Sequence, residues 1–315
     1  MRKNHFSVAN AAIDPVSVAA QRFAVKLRGT RLKVVLSDSL PRLQELSTSP
    51  CFTGALQSPV TLGQHGEMSL CVHTARIYQF AQWGDPSVSV LDCRYHTWRE
   101  APSFPVKLLT RHATVVDKKI YVAGRYQHGN SLSNLSYVLD TETQIWDPLP
   151  PVPCTADNND VFGTACIDGK FHAVASSGLD AAYNSKQVKW DRLRSEMGKY
   201  VYGNSYCVIG NVLCSACRGN FRWYDYEAHV WRDLNGLVGL PELSHEHEIR
   251  LADYGGNMVV FWKQYLHSMT KIWCAEVSLE RRRQSCEIWG KVEWLDHVLT
   301  LPVKADLIKV LALTV

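Results

Sequence analysis

Leu91-Asp92-Cys93-Arg94-Tyr95-His96-Thr97-Trp98 is the stretch that decides the fold, because its outline returns three times: Leu139-Asp140 before Trp146, Tyr183-Asn184 before Trp190, and Tyr224-Asp225 before Trp231. In each copy a tryptophan stands six residues after an Asp or Asn, and successive tryptophans are 48, 44 and 41 residues apart. A fixed inner spacing inside an outer period in the forties marks a stacked or radial repeat, with one supersecondary unit per period. The Asp or Asn, in a turn just before a strand, can bond its own backbone and set that turn. One tryptophan per unit suits the gap between neighbouring small sheets, where each ring would bury on the order of 200 Å². Asp92, Trp98, Asp140, Trp146, Asn184, Trp190, Asp225 and Trp231 are therefore read as structural repeat positions.

Outward from these positions, the chain from Glu67 onward consists of short apolar runs separated by turn residues, the all-β pattern. The first unit divides into strands over 68–72, 76–80, 87–91 and 97–99. The second divides into 112–116, 120–123, 136–139 and 144–146, with a long loop over 127–134. Asp168-Gly169, Gly210-Asn211 and Gly255-Gly256-Asn257 supply the positive backbone angles that tight β-reversals need. Each unit is a four-stranded antiparallel sheet too small to cover both of its faces. Packing such sheets side by side hides the faces, and curling them into a ring protects the two ends of the array. The fold expected over 67–315 is an all-β propeller of five or six four-stranded blades, with the C-terminal strand near 306–315 completing the first sheet or the last.

Residues 1–66 do not share the repeat and are read as an N-terminal arm and linker, partly helical or disordered. Val18, Phe23, Val25 and Leu27 are spaced loosely for a helix over 16–36, interrupted at Gly29. A second short helix is expected near 40–46, and 47–66 is rich in Ser, Thr, Pro and Gly.

At 315 residues, 46% hydrophobic and 20% charged, the chain has the composition of a globular protein rather than a disordered one. No run reaches the ~18 apolar residues of a membrane-crossing helix. The net charge of +4, without a basic patch interleaved with aromatics, gives no case for nucleic acid. Ten cysteines scattered singly do not form a disulfide framework, and the basic start lacks the apolar core of a secretory leader. Reduced thiols in the cytoplasm or nucleus are expected. The rival is an organelle transit segment, since Asp14 is the only acid among the first 35 residues.

Val90-Leu91-Asp92-Cys93-Arg94, His96-Thr97-Trp98-Arg99-Glu100-Ala101-Pro102, Asp117-Lys118-Lys119-Ile120-Tyr121-Val122-Ala123-Gly124 and Thr143-Gln144-Ile145-Trp146 together resemble the kelch propeller, and more closely the plant F-box/kelch-repeat family. The likeness runs from about residue 68 to the end. It implies a non-enzymatic protein-interaction module, the substrate-selecting subunit of a cullin-type ubiquitin ligase, which would meet a Skp-type adaptor and a cullin if an F-box function survives. Two departures stand out. The paired glycines of kelch repeats are reduced to Gly124-Arg125 at best, and residues 1–66 show no F-box pattern beyond a faint echo in Ser39-Leu40-Pro41. Loss or truncation of that module is the expectation.

No residue is assigned a catalytic or metal-binding role, and no cofactor is expected. Cys214 and Cys217 are a lone pair pointing to opposite faces of a strand. His245-Glu246-His247-Glu248 reads as an inter-blade loop, Arg281-Arg282-Arg283 as an exposed insertion, and 157–160 as a surface turn lacking the glycine of a calcium loop. Recognition of a protein target is expected on inter-strand loops of one face: Arg125, Tyr126, His128 and Asn130, then Asp180, then Arg218 and Asn220. The alternative is a small-molecule- or metal-binding propeller enzyme using the central channel and histidines such as His172 or His245. It requires several His, Asp or Glu side chains to converge at one channel mouth, and a channel filled by aliphatic side chains would exclude it.

Overall fold

The computed structural model of the chain describes residues 21–27, 30–38, 69–81, 85–95, 97–129, 131–153, 161–175, 179–201, 205–244, 247–267, 269–282, 287–301 and 305–313. It begins with a hairpin of β1 (Gln21–Leu27) and β2 (Thr30–Asp38). Five antiparallel four-stranded blades follow. Blade 1 holds β3 (Ser69–His73), β4 (Arg76–Phe80), β5 (Val88–Asp92) and β6 (Thr97–Ala101). Blade 2 holds β7 (His112–Val116), β8 (Lys119–His128), β9 (Ser131–Asp140) and β10 (Trp146–Pro148). Blade 3 is β11 (Val161–Ile167), β12 (Lys170–Ala175), β13 (Leu179–Asn184) and β14 (Lys189–Arg194). Blade 4 is β15 (Tyr206–Ile209), β16 (Val212–Ser215), β17 (Arg222–Asp225) and β18 (Val230–Asp233). Blade 5 is β19 (Arg250–Tyr254), β20 (Asn257–Leu266), β21 (Met269–Arg282) and β22 (Glu287–Leu301). The last strand, β23 (Ala305–Leu313), pairs with β2, so a sixth sheet has the order β1-β2-β23.

The first strand of each blade lines the axis. β3 lies against β7, β7 against β11, β11 against β15, β15 against β19, β19 against β23, and β23 against β3, which closes the ring. The turns between first and second strands are tight because both central residues are left-handed, at Asp117/Lys118, Asp168/Gly169, Gly210/Asn211 and Gly255/Gly256.

The apolar core is divided among the seams between blades. Six buried clusters occupy the six seams: blades 1 and 2, 2 and 3, 3 and 4, 4 and 5, 5 and the closing sheet, and the closing sheet and blade 1. Neighbouring residues on a strand point to opposite faces. Val310 accordingly packs into the seam with blade 5 and Leu311 into the seam with blade 1. One strand thus ties the last blade to the first.

Several expectations are corrected. The helix expected over 16–36 gives way, in its described part, to the β1–β2 hairpin, whose register closes at Leu27↔Thr30. Phe23, Val25 and Leu27 also fit a period of two; their strand pairs with β2, and β2 in turn pairs with β23, which lies far away in sequence. The C-terminal strand joins neither the first blade nor the last. The long loop expected over 127–134 is a continuation of the β8–β9 ladder as far as His128↔Ser131. Arg281 and Arg282 end β21 rather than sitting in an insertion, and Cys217 begins a short 3-10 turn instead of continuing the strand of Cys214. Arg283, residues 157–160 and the second expected helix near 40–46 lie outside the described residues.

Candidate partner-binding face and axial channel

The repeat residues hold the seams. Asp140 Oδ1 accepts the N–H groups of Glu142 and Thr143 at 2.9 and 3.1 Å. Asn184 does the same for Lys186 and Gln187, and Asp225 for Glu227 and Ala228. Asp92 accepts from the Arg94 backbone at 3.0 Å and from its guanidinium at 2.7 Å. Four residues into three of these turns the chain is left-handed, at Gln144, Val188 and His229, and this aims the tryptophan two residues later at the preceding blade. Trp146 Nε1 donates to Pro102 O at 2.9 Å, Trp190 to Pro150 O at 2.8 Å, and Trp231 to Glu196 O at 2.8 Å. Each acceptor lies just past the fourth strand of the blade before. Trp98 packs in the closing seam beside Leu311. Blade 5 ties itself differently, through Gly290 N to Asn235 O at 2.8 Å. Gly236 is left-handed there, and any Cβ on it would sit 2.3 Å from the Gly290 carbonyl oxygen.

This framework has two faces. Turns between first and second strands, and between third and fourth, open on one; connections between second and third strands, with the inter-blade linkers, open on the other. Among the described residues, the latter, the linker face, carries Arg125, Tyr126, His128, Arg218 and Asn220 of the expected partner positions. Arg125, Tyr126 and His128 stand on the extended end of β8, with the Tyr126 and His128 rings stacked at 6.3 Å. Gly124 lets this strand pass the linker before blade 2, because a Cβ there would fall 1.9 Å from Thr110 O. Arg218, on the 3-10 turn Cys217–Gly219, and Asn220, just after it, are exposed, and Gly219 lies so close to Leu243 that a Cβ would meet its carbonyl at 1.7 Å. Asn130 lies outside the described residues.

Asp180 is a correction. It is fully buried on β13, accepting hydrogen bonds from Ala175 N at 2.9 Å and from the Ser195 hydroxyl. Burial raises its pKa, opposed by those two bonds. Its carboxylate is engaged inside blade 3 and is not presented to a partner.

Sequence reasoning missed a second extended hairpin on this face. β20 and β21 remain paired from Met258↔Val277 out to Leu266↔Met269, whereas β16 and β17 pair only at Cys214 and Ser215. The available signal was the absence of any turn residue between Asn257 and Leu266. Lys263, buried at the hairpin base, pairs with Glu248 at 2.8 Å and donates to Tyr265 Oη at 2.6 Å. Trp262 and Trp273 stack across the two strands at 6.3 Å.

The axis is an open cavity of about 580 Å³ lined by the first strands of the five blades and by β23, among them Cys71, Thr114, Cys166, Cys207, Asp253 and Lys309. Lys309 Nζ donates to Leu70 O at 2.8 Å and so links β23 to β3. Burial pushes the Cys71 and Cys207 thiols up to about 12, which leaves both neutral. His172, named for the channel alternative, is instead on β12 in the seam between blades 3 and 4, where burial pushes it down to about 4. His245 lies outside the described residues. Asp253 is the only Asp, Glu or His among the described lining residues, and among the described residues no three His, Cys, Asp or Glu gather as a metal site. No described helix is long and apolar enough to cross a membrane.

Comparison with known proteins adds the following. The domain family described as FKB95, Kelch-repeats domain matches residues 53–299. F-box/kelch-repeat protein At5g51250 of Arabidopsis thaliana is 45% identical over 71% of this chain and 63% of its own length. F-box/kelch-repeat protein At5g38670 of the same plant is 46% identical over 71% of this chain and 78% of its own length. A third, At3g06570, is 42% identical over 78% of this chain, which spans about two thirds (66%) of that relative. Among solved structures, YjhT aligns over 72% of this chain and 76% of its own, at 12% identity and a TM-score of 0.46.

Proposed function

The chain belongs to the FKB95 kelch-repeat family, whose relatives here are F-box/kelch-repeat proteins, and from that premise we propose that it is a protein-recognition module of the substrate-selecting kind found in cullin-type ubiquitin ligases, without an adaptor-docking F-box of its own in residues 1–66. The family likeness, spanning nearly the whole propeller, carries the recognition half of this reading. It is supported by the build of the linker face: side chains stand on hairpins and turns held by a rigid ring, the arrangement that recognition loops use. The second half rests on the N-terminal hairpin. An F-box is a helical module, whereas Gln21–Leu27 and Thr30–Asp38 are strands of the closing sheet. The chain itself does no covalent chemistry in this reading, and it works in the cytoplasm or nucleus.

The test is co-purification of the full chain with a Skp-type adaptor, using a full-length F-box/kelch relative as the positive control. The expected result is no complex with this chain and a complex with the relative. Stoichiometric co-purification of this chain would overturn the second half of the reading.

A further inference from the structure

Cysteines are scattered through the propeller, yet among the described residues one pair of them is in register. Cys207 on β15 stands directly opposite Cys214 on β16, in the hairpin that turns at Gly210-Asn211. Directly opposed residues of an antiparallel ladder lie side by side on one face. Both cysteines accordingly pack in the seam between blades 4 and 5, with Cys214 fully buried and Cys207 partly so. Other cysteines on ladders face different residues: Cys71 faces Tyr78, Cys166 faces Phe171, and Cys274 faces Phe261 and Asp296. Cys207 also lines the axial cavity, where Asp253 on β19 and Lys309 on β23 are the charged groups that act on it.

We propose that Cys207 and Cys214 are a redox modification site, at which a peroxide entering the axial cavity converts the two thiols into a reversible cross-strand disulfide. Opposed residues in such a ladder have Cα atoms about 4.5–5.5 Å apart, within the ~4.4–6.8 Å that a disulfide spans. In the first step Cys207 Sγ attacks one peroxide oxygen and the O–O bond breaks. Cys207 is left as a sulfenic acid, and its thiol proton leaves with the other oxygen as water. Cys214 Sγ then forms the S–S bond and displaces the sulfenic hydroxyl, which takes up the Cys214 proton and departs as a second water. Two thiols are oxidised and one hydrogen peroxide is reduced. A small thiol reverses the bond by exchange, the transient use that disulfides have in a reducing compartment.

Burial sets the threshold for this chemistry. It pushes the Cys207 thiol up to about 12 and raises Cys214 as well; on Cys207 the Asp253 carboxylate adds to the rise and Lys309 opposes it. Thiolate is scarce at neutral pH, so the pair ignores traces of peroxide and reacts about tenfold faster for each pH unit gained below that value. The bond also has a place to act. β16 pairs with β17 only at Cys214 and Ser215, and the chain then enters the turn Cys217–Gly219 that carries Arg218 on the linker face. Tying Cys214 to β15 fixes this short strand at the foot of that turn.

The experiment treats the folded full chain with hydrogen peroxide at about pH 7 and about pH 9, alkylates the remaining thiols and maps cysteine pairs by peptide mass spectrometry. The expected product has lost two hydrogens, contains a peptide joining Cys207 to Cys214, and returns to the dithiol with dithiothreitol. It should form at least about tenfold faster at the higher pH. Amides of Ser215–Asn220 should exchange more slowly in the oxidised chain. Cys214→Ser should leave Cys207 as a sulfenic acid that dimedone captures, whereas Cys207→Ser should leave Cys214 unmodified. Melting of each variant checks its folding, and the map of the unmutated chain decides the matter where a variant does not fold. Bridges between other cysteines at equal yield, Cys207 carried on to the sulfinic acid with Cys214 untouched, or thiols that stay reduced at both pH values would overturn the proposal.

Discussion

Blades 1 to 4 and the closing sheet reach the same packing by opposite routes. Each of blades 1 to 4 is contiguous in sequence and carries its own Asp or Asn turn and tryptophan, and in blades 2 to 4 the indole donates to a carbonyl just past the preceding blade. The closing sheet has none of these marks. It is assembled from β1, β2 and β23, which bring residues near the two ends of the chain into one ladder, with Thr30–Asp38 between the other two strands. A blade inside the array can be formed by local pairing, but the ring is complete only when the two distant segments meet. Such non-local pairing must overcome a large loop-closure entropy before any contact rewards it. Stability should therefore respond most to damage at the closing sheet and least to a change in one turn of one blade.

The largest effect is expected from Leu311→Asp, which places a carboxylate in the seam between the closing sheet and blade 1. An uncompensated buried charge costs several kcal/mol, enough to remove most of the stability of an ordinary domain. Thermal denaturation should lose its single cooperative transition. Retention of a wild-type melt would mean that β23 does not lie between blades 5 and 1.

A smaller loss should follow Trp190→Phe. An aromatic ring is kept, but a smaller one, and the Pro150 carbonyl loses its donor, so the cost is the ~1 kcal/mol of a hydrogen bond plus the packing lost with the missing part of the indole. Urea denaturation should show it as a lower midpoint with an unchanged slope. Trp289→Phe in blade 5 should cost less across the seam. The inter-blade bond there runs from Gly290 N, while Trp289 Nε1 donates within its own strand to Glu287.

Acid should also act on the seams. His172 has its pKa pushed down from 6.5 to about 4 by burial. A depressed folded-state pKa means that the unfolded chain binds the proton more readily. The stability from keeping this ring neutral is therefore complete above pH 6.5 and is lost as pH falls towards 4. His172→Phe should flatten the decline of melting temperature over that window. An unchanged profile would show that His172 does not titrate with unfolding.

The smallest effect expected is a gain. Val188 is 64% exposed and β-branched at φ 52°, a conformation that disfavours branched side chains. Val188→Gly should stabilise by about 0.5–1 kcal/mol, the strain relieved less the added freedom of the unfolded glycine. Destabilisation would show that the side chain contributes packing the exposure does not reveal.

The same contrast explains how far the sequence could be read. The strands 76–80 and 112–116 were legible to the residue, since a short apolar run between turn residues is a local signal. The all-β propeller followed from the spacing of Trp98, Trp146, Trp190 and Trp231, and its kelch character from the family resemblance of 90–102, 117–124 and 143–146. The closing sheet was not legible. Phe23, Val25 and Leu27 satisfy a loose helical spacing as well as strand alternation, and the hairpin they join is completed as a sheet only through β2, which pairs with the distant β23.

On the linker face, Arg218 and Asn220 stand where a polar loop was read, but Asp180 does not. A buried carboxylate satisfied by Ala175 N–H and Ser195 looks, in sequence, like any acid beside a turn. The blade 5 hairpin was missed because ladder length depends on where the partner strand ends, and one strand alone does not reveal that.

Hydrogen exchange of the full chain, read residue by residue, tests the closing sheet most directly. Thr30–Asp38 lies between β1 and β23, so its ladder amides should be protected and should open together with those of Ala305–Leu313 at a free energy close to global unfolding. Amides of Thr30–Asp38 that exchange at unprotected rates while blades 1 to 5 remain protected would contradict a ring closed by the two ends of the chain.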